Sequence, residues 1–464
     1  MRRAVVILVI SAAYMGCAGR SAPEPQPREP ARQGRGVIRV LVAGEAEANR
    51  LFLGAVGRPL NQVGFEATTA DVDDDCRVFE LDPAARFADG SVVRPEDWIA
   101  AWRRGRSTPD TEHEWLLEPL DDPLTSADGS QLRLCTSRPV PDLVQRLSHP
   151  DLWLWRRSPA TGQPEGPGPF AGVDGNALVA NSYYDGPGPL VERVEFVGDA
   201  ESPALMLELG QAEPADVVTV DDRQLRELKE PAFKLGRLAE WDRVYALWSN
   251  PGARWLNDPT LRRWLAGRID REAMLEYLFA GQGEPAFGLL EPGPDHPAWA
   301  AVTERPLAPN SVPRLELQFD GDDPHARRLA RRLRGELQGQ GIELTLDPRP
   351  LPALHEAIAA GREQMVLLAH RPPSSDPVLA LFQSFRRLGR GAAEARLVLE
   401  QATLMADPGS RRRAAEYAEQ TLMIEARLVP LVRVHAWLAL APGLTAVASG
   451  PNGTLDLTQA RWLQ

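Results

Sequence analysis

The residues best equipped for chemistry form one polar run, His370-Arg371-Pro-Pro-Ser374-Ser375-Asp376-Pro377, directly after the apolar stretch 364–369. An imidazole, a guanidinium, two hydroxyls and a carboxylate can donate and accept hydrogen bonds in several directions. The planar guanidinium can also hold a carboxylate through two parallel bonds. That set suits recognition, and a polar loop behind an apolar strand is where cleft contacts arise. Bond-breaking chemistry has no comparable set: no H-E-x-x-H, G-x-S-x-G, Walker A or C-x-x-C pattern occurs. Gly166-x-Gly168-x-x-x-Gly172 has the wrong spacing for a dinucleotide loop. The seven His residues include no pair at i, i+3 or i, i+4, so no local metal site is expected. The acidic run 71–75 lacks the Gly and Glu of a twelve-residue calcium loop and reads as a solvated turn. The chain is therefore expected to bind and not to catalyse, without metal or cofactor.

Alternating and apolar runs supply the elements that must carry this loop. Strands are expected at 37–42, 76–81, 131–135, 177–184, 191–197, 215–220, 243–250, 314–319, 342–346, 364–369 and 428–434. Short helices are expected at 139–147 and 205–209, and longer ones at 258–265, 269–278, 324–340, 352–360 and 411–426. Strand, helix and strand between 314 and 346 make a βαβ unit, which requires a parallel pair and a right-handed crossover. At 464 residues one core is too few, so two α/β lobes are expected. The 243–250 strand leaves one lobe and puts Trp248 and Asn250 at a junction, where they become candidate ligand contacts. Phe170 in the rigid loop 166–172 is a further candidate. Trp98, Trp102 and Trp264 sit at helical spacing and read as core. The other reading of every candidate is ordinary loop capping.

Several segments carry a family resemblance in a fixed order. Phe87-Ala-Asp-Gly-Ser-Val-Val-Arg-Pro-Glu-Asp-Trp98 is a turn leading into a capped helix, with Gly90 free to take positive φ and Pro95 at the first helical turn. It resembles the F-x-D-G signature of the bacterial family 5 extracellular solute-binding proteins, the oligopeptide- and dipeptide-binding group. Gly-Pro-Gly-Pro-Phe-Ala-Gly at 166–172, Asn181 with Tyr184, Ile269-Asp-Arg-Glu272 and Gly281-Gln-Gly-Glu-Pro-Ala286 resemble later blocks of the same family. The resemblance implies a two-lobed clamshell of the type II periplasmic-binding class, with a reduced inserted subdomain. Lobe I would span 37–246, completed by 430–464, and lobe II 247–429. Trp437 to Leu440 would return to the first lobe. It further implies hinge closure around a small-molecule or peptide-like ligand and delivery to an ABC permease. Pro373 falls where peptide-binding relatives place the carboxylate for the ligand's ammonium, which disfavours free-amine peptides and leaves Arg371 for an anionic group.

The N-terminus reads as an address. Arg2 and Arg3 precede an apolar run ending at Gly16-Cys17, too short to span a bilayer. Residues 1–17 resemble a lipoprotein signal, with Cys17 as the lipidated residue; an ordinary secretory signal with a chance Cys is the other reading. The Pro-rich segment 18–36 would be a tether to the membrane of a bacterial cell envelope. An exported pair, Cys76 and Cys135, favours a disulfide over two buried thiols. Residues 1–36 hold six Arg and two Glu, which leaves −16 on the remainder of a chain of net charge −12. Such a body is not built for nucleic acid. A monomer is expected. The alternative function is a structural or regulatory envelope lipoprotein of the same fold that no longer transports; an exported hydrolase would need a nucleophile and base that the chain does not display.

Overall fold

The computed structural model describes residues 37–41, 53–58, 60, 64–66, 76–107, 116–120, 124–125, 129–137, 140–149, 152–174, 176–197, 216–221, 234–238, 242–279, 281, 283–290, 314–371, 376–450 and 454–462. The expected signal, the tether and the 205–209 helix lie outside these residues. No helix among the described residues is long and apolar enough to cross a membrane.

Two large mixed sheets divide the chain. The first has seven strands in the order Lys234–Arg237, Ala436–Leu440, Val217–Asp221, Val37–Leu41, Arg193–Val197, Ala177–Ala180 and Phe170–Asp174. Its core is Ile38, Val40, Leu178, Val194, Val217 and Leu438, with Phe170. Val37–Leu41 pairs in parallel with both Arg193–Val197 and Val217–Asp221. The return of the 437–440 segment to this lobe holds, since Ala436–Leu440 pairs with Val217–Asp221.

The second sheet has six strands: Glu284–Pro285, Leu428–Val434, Arg243–Ser249, Met365–His370, Arg314–Asp320 and Glu343–Arg349. Arg314–Asp320 and Glu343–Arg349 are parallel in an unbroken register, with the helix Pro324–Gly339 between them in sequence. A Cβ alternates between faces along a strand, and Arg243–Ser249 uses both. Tyr245 and Leu247 enter the core formed with the helices Pro259–Gly267, Arg271–Phe279 and Pro324–Gly339. Val244, Ala246 and Trp248 enter the opposite core, beneath Leu351–Ala359, Pro377–Arg387, Ala393–Ala402 and Pro408–Ile424. This double burial explains why the strand reads as a continuous apolar run. The helices Pro377–Arg387 and Ala393–Ala402 were not among the elements expected.

A four-stranded sheet, Gly64–Glu66, Cys76–Leu81, Gln131–Cys135 and Leu124–Thr125, forms the insert. Cys76 stands opposite Cys135 in its register, and the two are joined by a disulfide. The helix Pro95–Ser107 covers the sheet with Trp98 and Trp102, whose ring centres are 5.9 Å apart. Residues of the insert, including Trp98, Leu132 and Leu143, belong to one continuous apolar cluster with Leu379, Phe382 and Ala415 of the second lobe. The insert therefore bridges to the second lobe.

Among the described strands, two connections join the large sheets. The chain passes from Leu238 to Arg243 and returns between Val434 and Ala436. The strands thus move the crossings from the expected 246/247 and 429/430 to 238–243 and 435. Arg243–Ser249 and Leu428–Val434 belong wholly to the second sheet, because each is paired there along its full length.

Candidate functional site

Both crossings meet the six-stranded sheet at one end, so that end faces the first lobe. Arg243 is paired with Val434 there, and Val244 with His370. Arg314–Asp320 and Glu343–Arg349 run parallel to one another, and Arg314–Asp320 runs parallel to Met365–His370, so all three finish at the same end. The carboxyl ends of parallel strands are where α/β sheets bind ligands. Two helices begin at this end behind Asp caps: Asp323 caps Pro324–Gly339 and Asp376 caps Pro377–Arg387. Their positive dipole ends favour negative charge on a solute.

Buried hydrogen bonds hold this end rigid. The Tyr245 hydroxyl donates to Asp323 Oδ2 at 2.8 Å, while Asp323 Oδ1 accepts from the His325 and Ala326 amides at 2.8 and 3.2 Å. Burial, and then the Asp323 charge, push the Tyr245 hydroxyl well above its ordinary pKa. His370 ends its strand with Nδ1 2.6 Å from Ser384 Oγ. Arg371 follows it, half-buried.

The sequence candidates separate into three groups. His370 and Arg371 lie at the lobe-facing end, and Asp376 begins the adjoining helix; Ser374 and Ser375, between them, lie outside the described residues. Asp376 itself is engaged: Oδ1 caps the Leu379 amide at 3.0 Å, and both oxygens hold Arg411, at 2.8 and 2.9 Å. These bonds fasten the start of its helix to Arg411.

Trp248 and Asn250 lie away from this end. Trp248 pairs with Val366, four residues from the Val244–His370 pair; at 3.4 Å per residue that is about 13 Å from His370, at the far end of the sheet. Its side chain is fully buried, with Nε1 donating to Glu363 Oε1 at 3.4 Å. Burial in turn raises the Glu363 carboxyl above its ordinary pKa. Asn250 donates to Glu363 O at 3.0 Å and accepts from the Gly252 amide at 2.9 Å, so it folds the turn. Phe170 opens a strand and lies in the first lobe's core, 1% exposed.

The motifs that carry the resemblance build corners. Gly90 takes φ 85°, and a Cβ there would meet the Tyr183 ring at 2.9 Å. Arg156 donates to Asp89 and to Ser91 Oγ at 2.7 Å each, lies 3.7 Å from the Phe87 ring centre, and pairs with Glu165 at 2.8 Å. Asp89, despite partial burial, is held below its ordinary pKa by the Ser91 hydrogen bonds and the Arg156 charge. A Cβ on Gly168 would collide with Val56 O, and Asn181 Nδ2 donates to Gly168 O at 2.9 Å. The expected rigid loop therefore ends at Pro169, where the strand starts.

Arg411, Asp142 and Arg146 went unread. Arg411 is 4% exposed and spends every guanidinium nitrogen on a partner, including the carbonyls of Ala402 and Thr403 at 3.1 and 3.3 Å. Its sequence signal was position: it stands four residues before Ala415, on the stripe continued by Ala418 and Leu422. A charged residue on an apolar stripe needs a buried partner. Among the described residues no cluster of His, Cys, Asp and Glu could hold a metal ion.

The model of the bacterial extracellular solute-binding proteins, family 5, matches residues 64–387. No curated protein matches the chain. Among solved structures, it is similar to a dipeptide-binding protein from Pseudoalteromonas sp. SM9913 in complex with Met-Leu, with TM-score 0.74 and 13% identity over 91% of this chain and 100% of that one. It is similar to AppA from Clostridium difficile, a putative peptide binding protein, with TM-score 0.72 and 14% identity over 93% and 100%. NikA from Brucella suis in complex with Fe(III)-EDTA gives TM-score 0.71 and 17% identity over 91% and 99%. The two-lobed architecture is common to these structures. With its model match and its strand order together, the chain belongs to the bacterial extracellular solute-binding proteins of family 5, binders and not enzymes.

Proposed function

We propose that this protein captures a small polar or peptide-like solute between its lobes and presents it to an ABC permease. It would act as a monomer held at the cell envelope by a lipid on Cys17. The observation that carries the reading is the lobe-facing end of the six-stranded sheet. Strand carboxyl ends, two helix N-termini, His370 and Arg371 converge there, beside the two connections between the large sheets among the described residues. Two connections and a preformed polar edge are what hinge closure needs. The described relatives are bound to a dipeptide in one case and a chelated iron in another. Arg371, together with Pro373 in place of an ammonium-binding acid, favours a solute with a carboxylate over a free-amine peptide. The test is native mass spectrometry of gently purified protein, followed by a thermal-shift and Trp-fluorescence screen of peptides, opines, sugars and metal chelates. No shift with any class would overturn the proposal.

A second reading, an envelope lipoprotein that no longer transports, is favoured by the apolar cluster shared between the insert and the second lobe. X-ray scattering profiles that stay the same with every solute tested would select it.

A further inference from the structure

We infer that Arg411 is a positioning residue that couples the helix Pro377–Arg387, which His370 contacts, to the approach of the insert, an inference that rests on the capture reading above. Four buried side chains form a line: Arg146, Asp142, Arg411 and Asp376, each at most 8% exposed. Asp142 and Arg146 come from the insert's helix Leu143–Leu147 and its entry, whereas Asp376 and Arg411 come from two helices of the second lobe. Arg146 Nε donates to Asp142 Oδ1 at 3.2 Å. Arg411 Nη2 donates to Asp142 Oδ2 at 2.9 Å across 269 residues of chain, and also to Asp376 Oδ1 at 2.9 Å. Its Nε donates to Asp376 Oδ2 at 2.8 Å.

The line is neutral as a whole, two cations and two anions. It is also neutral in each half. If the insert and the second lobe separate, Arg146 keeps Asp142 and Arg411 keeps Asp376 with its two bonds. Among the four charges only the Arg411–Asp142 bond is cut, and each keeps a counter-ion, which avoids the outcome that makes broken buried pairs so costly. Burial lowers the Arg411 pKa, but the bonds and charges of Asp376 and Asp142 together hold it above its ordinary value. Asp376 closes the run that begins at His370. His370 Nδ1 lies 2.6 Å from Ser384 Oγ on the helix that Asp376 caps, so a solute held by His370 and Arg371 acts on that helix and, through Asp376 and Arg411, on the insert.

The test is Asp142→Asn in the full chain, measured without solute by small-angle X-ray scattering and by hydrogen exchange at the Leu379 amide. Asp142→Asn turns the charged acceptor shared by Arg411 and Arg146 into a neutral amide, and this is expected to shift the open-to-closed ratio by roughly tenfold or more. The radius of gyration should rise while Leu379 stays protected, because the Asp376 cap is intact. Asp376→Asn should expose Leu379. An unchanged radius of gyration in Asp142→Asn, with or without a lower melting temperature, would make Arg411 a packing residue and overturn the inference. If Asp142→Asn does not fold, Asp142→Glu, which keeps the charge on a longer stem, is judged by the same criterion. Because no solute is present, an empty solute screen and a failed scattering result remain distinguishable.

Discussion

The Tyr245 hydroxyl and the Asp323 carboxylate meet at 2.8 Å inside the second lobe, which fastens the start of the helix Pro324–Gly339 to the strand that enters from the first. Tyr245→Phe keeps the ring and its packing but removes this bond. Asp323 retains the amides of His325 and Ala326, so it is not stranded. The expected loss is about 1–2 kcal/mol in chemical denaturation, the range for one buried hydrogen bond. A loss below 0.3 kcal/mol would show that the pair is dispensable.

Glu419 makes stability depend on pH. Burial pushes its carboxyl up to about 7 from 4.5, against the opposing pull of the Leu289 and Leu290 amides and the Arg433 charge. Oε1 accepts from the Leu289 amide, while Oε2 has no hydrogen-bond partner among the described residues. Between those two values the folded chain binds a proton that the unfolded chain has released. The contribution is therefore intact below about pH 4.5, declines as pH rises, and levels off above about 7. At about 1.4 kcal/mol per pKa unit the swing is about 3 kcal/mol. Glu419→Gln should flatten the stability profile across that window; an unchanged slope would remove Glu419 as its source.

The Cys76–Cys135 bond closes a sequence separation of 59 residues around the insert's two central strands. A loop of that size gives about 4 kcal/mol by chain entropy. Replacing both cysteines with Ser should lower the denaturation midpoint accordingly, and the unreduced native protein should show neither thiol. Two titratable thiols at these positions would contradict the bond.

Affinity and stability should separate along the Met365–His370 strand. Arg371→Ala is expected to weaken binding of a carboxylate-bearing solute found in the screen by roughly tenfold to a hundredfold, as loss of a charge-assisted pair does. Asn250→Ala, at the far end of the sheet, should leave affinity within twofold and cost about 1 kcal/mol of stability. Isothermal titration and denaturation together check both, and the reverse pattern would return the site to Trp248 and Asn250.

Much of this arrangement was legible in the chain itself. Period-two runs at 76–81, 131–135, 314–319 and 342–346, and the Leu stripe of 324–340, placed strands and helix because a buried face repeats with its element's geometry. The Asp–Pro steps at 258, 323, 376 and 407 each mark a helix cap, and all four cap helices. The 407 step was passed over, since the helix there was expected only from 411, and the 376 step was read as a ligand contact, so the helix Pro377–Arg387 was missed. Local spacing cannot distinguish a capping carboxylate from a recognising one, because both are a free acid in a polar loop.

What tertiary structure alone decided was which end of a strand faces the gap and which charges meet. Trp248 and His370 both lie near the carboxyl ends of their strands, yet antiparallel pairing sends them to opposite ends of one sheet. Arg411 and Asp142 meet across 269 residues. Periodicity reports a residue's own face, a property of a few neighbouring bonds. Partnership between distant side chains depends on how whole layers stack, and no short window of sequence holds that information.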